Sequence, residues 1–405
     1  MQTVAIIGAG QAAAQVALSL RKYGFGGRVV MFGDEPWSPY QRPPLSKAYL
    51  SGALPVQSLA LKADACFEEA GVELVLDTPV RRIDRAGRRI ETGRGAEHYD
   101  ALVLATGGRA RKLGVSGESL EGVFTLRGIA DADNLRPRLK PGAHVVICGG
   151  GYIGLEVAAV AVGQGCEVTV VELADRVLSR VAPPPISKFY EHEHRANGVT
   201  MITGRRIVAF RGGDVLEAVE TDSGALIDAD VALVAAGLIP NVELAEAAGL
   251  PCSNGIVVDA AGRTDDAAIY AAGDVASQFR AELGRSTRVE SVQNAIWQGK
   301  AVAASIAGAP APSPEVAWFW SDQYDIKLQI AGLGGPEDHV QLRGDPAERR
   351  FSVVHLHHGR ITSVSAVNHP GEFMSGKRLI GTGARVQPDL VANASIPLKQ
   401  SADTA

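Results

Sequence analysis

The sequence predicts a mixed α/β chain of three domains, two that each open with a strand, a glycine turn and a helix, and a C-terminal α+β domain with an antiparallel sheet. Three observations predict it. The segments "TVAIIGAGQAAAQVALSL" and "HVVICGGGYIGLEVAAVAVGQGCEVTVVEL" repeat one grammar: an apolar strand, a glycine-rich turn, then an apolar helix. "GAPAPSPEVA" from Gly308 reads as a Pro/Ala linker. Beyond it, "FSVVHLHHGRITSVSAV" alternates as antiparallel strands do.

The first repeat is followed by the strand "RVVMF", and the second contains its own strand "CEVTVVEL". Each is a βαβ start able to nucleate a parallel sheet, so two Rossmann-like dinucleotide-binding domains are expected. Around them "VRRIDRAGRRIET" reads as a hairpin turning at Ala86-Gly87, and "ALVLATG" and "VALVAAG" as apolar strands. The expected boundaries are 1–108 with 238–312 for the first domain, 109–237 for the second and 313–405 for the third, with a disordered polar tail after Lys399.

At 405 residues the chain exceeds one ordinary domain, and its net charge of −5 and pI of about 6.0 give no basic excess for nucleic acid. No apolar run approaches the roughly 20 residues that span a bilayer, and no basic leader precedes the first strand, so a cytoplasmic location is expected. Cys66, Cys148, Cys166 and Cys252 are scattered without a CxxC, which speaks against zinc, a protein-held iron–sulfur cluster or a dithiol centre. They are expected to be buried and inert. His192 and His194 lie two apart on a predicted helix and do not share a face, while His355 and His357 are expected on a solvated sheet edge, so no metal site is predicted.

The glycine turns carry the chemistry. In Gly8-x-Gly10-x-x-Ala13, the first glycine permits the tight turn, the second lets a pyrophosphate approach helix N–H groups, and the small Ala13 lets helix and strand pack closely. Asp34 and Glu35, past the second strand, are placed to accept from an adenosine ribose. Gly149-x-Gly151-x-x-Gly154 is the fuller version, with Tyr152 and Ile153 inside it and Glu172 ending its second strand. A carboxylate there binds ribose hydroxyls and repels a 2′-phosphate, which predicts NADH over NADPH. Arg176 and Arg180 soften that choice if they meet a phosphate; otherwise they are solvated or paired with acids. Two adenine dinucleotides on one chain predict chemistry between them, and a nicotinamide hydride donor with a flavin acceptor is the natural pair.

"LVLATGG" (Ala105, Thr106 and Gly107) and "TDDAAIYAAGDVA", with Thr264, Ile269, Tyr270, Gly273 and Asp274, resemble the second and third FAD signatures of the two-dinucleotide-binding flavoproteins. "VAAGLIPN", with Gly237, resembles their return crossing between domains. Within that superfamily the chain most resembles the oxygenase-coupled NADH-dependent ferredoxin reductases, nearly end to end. "PPLSKAYL", "VICGGGYIGLEVAA", "APPPISKFYEHEHR", "ESVQNA" and "WFWSDQYDIKL" carry the likeness. It implies FAD contacts at Ala12, Asp34, Lys47, Val80, Arg127, Asp274 and Val292, with Arg42 and Pro43 beside Lys47. It also implies a C-terminal domain lying over the flavin, with the Trp320 indole limiting access; Trp318 is left between that role and core. The chain departs from the family in carrying Glu172 for a shorter acid and Gln329 for a lysine.

The implied mechanism is hydride transfer from NADH to FAD. Lys47 supplies positive charge, and Glu156 pairs with it and orients the nicotinamide. Electrons then pass singly to a [2Fe-2S] ferredoxin that serves a P450 or Rieske-type oxygenase. Lys300 and Lys399 match docking positions on a chain expected to be a monomer or weak dimer. The alternatives on the same scaffold are a rubredoxin reductase, an NADH oxidase or a disulfide reductase, and, in another class, a non-enzymatic NADH-responsive flavoprotein.

Overall fold

A computed structural model describes residues 2–280 and 283–403 and contains two compact units. One takes the chain up to Gln41, Gln57–Arg109 and Ile239–Ala317; the other takes Arg42–Val56, Ala110–Leu238 and the chain from Trp318 onward.

In the first unit a parallel sheet runs in the order Ile269–Ala271, Ala101–Leu104, Thr3–Ile7, Arg28–Phe32, Val72–Val75. Both faces are covered, which is why its three inner strands read as nearly unbroken apolar runs. Val4 and Ile6 pack on Ala13, Val16 and Leu20 of the helix Gln11–Lys22. Ala5 and Ile7 face the other way, toward Ile83 and Ile90 of the hairpin formed by Val80–Asp84 and Arg89–Thr92. The hairpin turns where expected, with the Gly87 N–H donating to Asp84 Oδ1 at 3.0 Å. The helix Val292–Ala307, capped by the Ser291 hydroxyl, lies against Gln11–Lys22 at Gly299, where a Cβ would stand 2.8 Å from that of Gln15.

The second unit holds its own parallel sheet, ordered Thr200–Thr203, Glu167–Glu172, His144–Cys148, Val231–Val234, Val123–Thr125. It also holds an antiparallel sheet ordered Trp318–Gln323, Ile326–Gly332, Arg360–Val367, Arg350–His357, His339–Asp345, with the helix Pro370–Thr382 packed on it.

Three expectations give way here. The strand carrying His355 and His357 is not at an edge: it lies between two others, and both imidazoles face Asp338, His357 at 3.3 Å. No cluster of metal-binding geometry occurs among the described residues. Of the thiols, Cys148 and Cys166 are buried, but Cys66 is exposed and Cys252 half-buried, because each sits in a short or irregular segment. Finally, the chain after Lys399 is ordered as far as it is described. Ser401 is buried with its carbonyl accepting from Gln387, and Asp403 N–H donates to Arg385 O, so a polar sequence is held by backbone pairing.

The segment that precedes this tail is gathered by Arg343, which is 3% exposed and forks onto both Glu372 oxygens at 2.7 and 3.1 Å. Its remaining N–H groups reach the carbonyls of Val391, Asn393 and Ile396. Burial raises the Glu372 pKa, but the Arg343 hydrogen bonds and charge outweigh it and leave it below its ordinary value. The pair therefore stabilises fully above the unfolded carboxyl's pKa and loses that contribution as pH falls through the lower folded one. Arg343→Met would leave Glu372 without its countercharge, a loss of about 3–5 kcal/mol, and should lower the melting temperature by roughly 10 °C at neutral pH. A drop of less than about 2 °C in a thermal melt would show that the clasp contributes little.

Candidate functional site

In the first unit the glycine turn is shaped by the neighbouring strand. Gly8 has φ +108°, and a Cβ there would lie 2.2 Å from the Ala105 carbonyl oxygen. Gly10, by contrast, opens onto free space and caps the helix Gln11–Lys22 without a side-chain bond, so the first-turn N–H groups face outward. That cradle fits a pyrophosphate. Gly273 approaches the same helix, its prospective Cβ 3.0 Å from that of Ala12, and the buried Gln298 accepts from its N–H at 2.8 Å. Asp274 follows it, with its carbonyl accepting from Arg288, and Val292 begins the helix behind. Asp34 is exposed, whereas Glu35 accepts from the Tyr40 hydroxyl at 2.7 Å. Thr106 and Asn241 exchange two hydrogen bonds beside Gly107, which tie "LVLATGG" to the crossing segment. Val80, at the start of the hairpin, is half-buried.

The second unit repeats the geometry. Gly149 has φ +121° with the Ala235 carbonyl 2.5 Å from a prospective Cβ, Gly151 opens onto free space, and a Cβ at Gly154 would lie 2.1 Å from Gly149 O. The Glu172 carboxylate is held at the turn, accepting from Gly150 N–H at 2.6 Å and Ala174 N–H at 2.7 Å. Arg176 is half-buried and, among the described residues, pairs with no acid. It donates to the carbonyls of Ala182 and Ser179 and to Ser187 Oγ, which uses its guanidinium to fold its own loop. Arg180 is exposed and lies over Gly237, 3.2 Å from a prospective Cβ there. Tyr152 packs on Phe319 with ring centroids 4.5 Å apart, and burial pushes its hydroxyl pKa well up; Ile153 is exposed.

The helix Tyr152–Gly163 is apolar on every side except at Glu156, which is buried. The carboxylate is offset by Lys47 Nζ at 2.6 Å, Ser46 Oγ at 2.5 Å and Ser321 Oγ at 2.6 Å. Lys47 comes from the "PPLS" turn, whose prolines fix the backbone; its ammonium also donates to Pro43 O at 3.3 Å. Arg42 donates to Arg127 O and Tyr49 to Asp133 at 2.7 Å, anchoring the same segment. The expected Lys47–Glu156 contact is thus present, and two serines join it that sequence reasoning did not single out. Gln298 was missed in the same way. A hydroxyl or amide inside an apolar run is the only signal these three leave.

Trp318 and Trp320 share one face of their strand, ring centroids 5.7 Å apart. Trp318 is half-buried between Phe373 at 5.7 Å and Lys377 Nζ at 5.0 Å, so it is not core; Gln329 stands opposite Trp320. Lys300 pairs with Glu315 at 3.2 Å, and Lys399 is exposed on a single 3-10 turn.

Two open glycine cradles, each at a helix N-terminus, define a protein that handles two dinucleotides. Residues 2–299 match the pyridine nucleotide-disulphide oxidoreductase family and residues 318–402 the reductase C-terminal family. The chain belongs to the first of these, and FAD and NAD(H) are its cofactors. It is similar to a probable ferredoxin reductase, CtmF, of Castellaniella defragrans (45% identity, 94% of this chain and 93% of that one). It is similar as well to putidaredoxin reductase CamA of Pseudomonas putida (40% identity, 98% and 96%). Among solved structures, a covalent putidaredoxin reductase–putidaredoxin complex matches with TM-score 0.96 and 40% identity over 98% of this chain and 97% of that one.

The two glycines of the first turn should separate under substitution. Gly8→Ala drives a methyl into a backbone carbonyl and should yield protein that misfolds or melts early. Gly10→Ala meets no atom, so the apoprotein should melt as wild type while the purified protein loses flavin absorbance because the methyl fills the cradle. Gly10→Ala protein that retains a full complement of FAD would remove the turn from the flavin site.

Proposed function

We propose that this chain is an NADH-dependent reductase that passes electrons through FAD to a [2Fe-2S] ferredoxin, which in turn serves a P450 or Rieske-type oxygenase. The observation that carries the reading is the Lys47–Glu156 pair with its two serines, set on the helix that opens at the second glycine turn. It is a centre built from charge and hydroxyls without a thiol. The nearest motif cysteine, Cys148, lies in the buried strand, where burial pushes its pKa far up and keeps it a neutral thiol. A disulfide-reductase chemistry has no nucleophile there. The similarity to a probable ferredoxin reductase and to putidaredoxin reductase supports the same reading.

In this reading residues 1–108 with 238–312 hold FAD, 109–237 hold NADH, and 313–405 cover the flavin. Bound FAD supplies the conversion of a two-electron hydride into single electrons. Glu172 accepts from the ribose hydroxyls and disfavours a 2′-phosphate. Lys47 presents a positive charge where negative charge accumulates, and Glu156 holds that lysine in place and meets the nicotinamide amide. Tyr152 and Ile153 line the nucleotide. Trp320 limits access to the flavin edge, and Lys300 and Lys399 attract an acidic partner.

Two measurements test this. Glu172→Ala removes up to two charge-assisted hydrogen bonds of roughly 1.5–3 kcal/mol each, so the NADH/NADPH ratio of kcat/KM should fall by at least about tenfold. An unchanged ratio would move the ribose contact elsewhere. Reversing Lys300 and Lys399 to Glu should raise the KM for ferredoxin steeply at low salt and less at high salt, because exposed charges are screened beyond about 8 Å at physiological ionic strength. NADH–ferricyanide activity should persist, whereas a wild-type enzyme unable to reduce any [2Fe-2S] ferredoxin with NADH would overturn the function itself.

A further inference from the structure

Glu156 has partners that lead away from Lys47, and their protons can be placed one after another. A carboxylate only accepts, so Ser321 must give its hydroxyl proton to Glu156 Oε1 at 2.6 Å. The Ser321 oxygen is left as an acceptor, and Gln323 Nε2 donates to it at 3.1 Å. That choice orients the amide and leaves Gln323 Oε1 facing His194 Nε2 at 2.9 Å, so the His194 proton is on Nε2. Burial lowers the His194 pKa to about 4, so at neutral pH its Nδ1 accepts from the Tyr324 hydroxyl at 2.9 Å. Four hydrogen bonds therefore run in one direction, from Tyr324 to Glu156.

The members are costly to place. His194 and Ser321 are fully buried and Gln323 is 1% exposed, in surroundings where an apolar side chain would pack without needing a partner. Tyr324 adopts φ +56°, a conformation a bulky residue avoids, in the two-residue turn between the strands Trp318–Gln323 and Ile326–Gly332. Arg349 pins the same turn, bonding to Asp325 and to Glu193, the neighbour of His194. Hydrogen bonds aligned head to tail polarise one another, so the donor that reaches Glu156 is strengthened from behind. With an amide in the middle, which is neither an acid nor a base near neutral pH, the chain holds protons in place and does not conduct them.

We propose that Ser321, Gln323, His194 and Tyr324 are positioning residues, a one-way hydrogen-bond chain that orients the Glu156 carboxylate and through it the Lys47 ammonium. The link to turnover rests on the reading of Lys47 and Glu156 given above, whereas the chain itself has a readout that does not.

Full-length, FAD-loaded protein carrying 15N-labelled histidine reports the imidazole directly, with His194 identified by the signals lost in His194→Gln. The expected state at neutral pH is a neutral ring, protonated on Nε2, with Nδ1 hydrogen-bonded. Tyr324→Phe should shift Nδ1 toward its unbonded position, and Ser321→Ala, separated from the ring by Gln323, should move Nε2. In stopped-flow reduction by NADH, Ser321→Ala should slow the flavin step about tenfold, and Ser321→Thr, which keeps the hydroxyl, should restore most of it. A charged ring, a proton on Nδ1, or signals indifferent to both substitutions would overturn the proposal. So would equal slowing by Ala and Thr, which would mean packing alone. Lys47→Ala that reduces at the wild-type rate would overturn the reading of the pair, whereas slow Lys47→Ala beside fast Ser321→Ala would remove only the chain's role.

Discussion

One buried carboxylate organises the second unit. Glu156 is the single charge in a helix that is otherwise apolar on all sides, and an unpaired charge there would cost several kcal/mol. Its partners come from far away in the chain: Ser46 is separated by 110 residues and Ser321 by 165. The requirement to satisfy this group explains a feature that backbone topology does not. Residues 42–56 group with the second unit although the chain on both sides of them belongs to the first. Lys47, Ser46, Arg42 and Tyr49 each bond into the second unit, so the segment goes where its polar groups are paired.

What the sequence makes legible is local necessity. Gly8 and Gly149 each have a strand carbonyl where a Cβ would stand, at Ala105 and Ala235, so the two turns announce themselves in any reading. The continuous apolar strands follow from sheets covered on both faces, and the Ala86-Gly87 turn from the Asp84 side chain that receives its N–H. The Lys47–Glu156 pair was reached through family likeness, because nothing local joins positions so far apart.

What was not legible is pairing between distant polar groups. Ser46, Ser321 and Gln298 are single small polar residues whose meaning depends on what folds against them. A polar tail looked disordered because its stabilising bonds, to Arg385 and Gln387, lie outside it. His355 and His357 looked like an edge because alternation reveals the face of a strand and not its neighbours.

The strand Trp318–Gln323 shows how one short segment serves two purposes. Side chains alternate across a strand, so Phe319, Ser321 and Gln323 share one face and Trp318, Trp320 and Asp322 the other. The first face meets the helix of the second glycine turn, with Phe319 on Tyr152 and Ser321 on Glu156. The second keeps two indoles half-exposed, Trp318 propped by Phe373 and Lys377 with Trp320 beside it. A strand pinned on one face by buried hydrogen bonds cannot slide by one residue without exchanging the faces, which would bury the indoles and expose Ser321. The polar contacts that fix Glu156 therefore also fix the register that presents Trp320, and a change in one face is felt on the other.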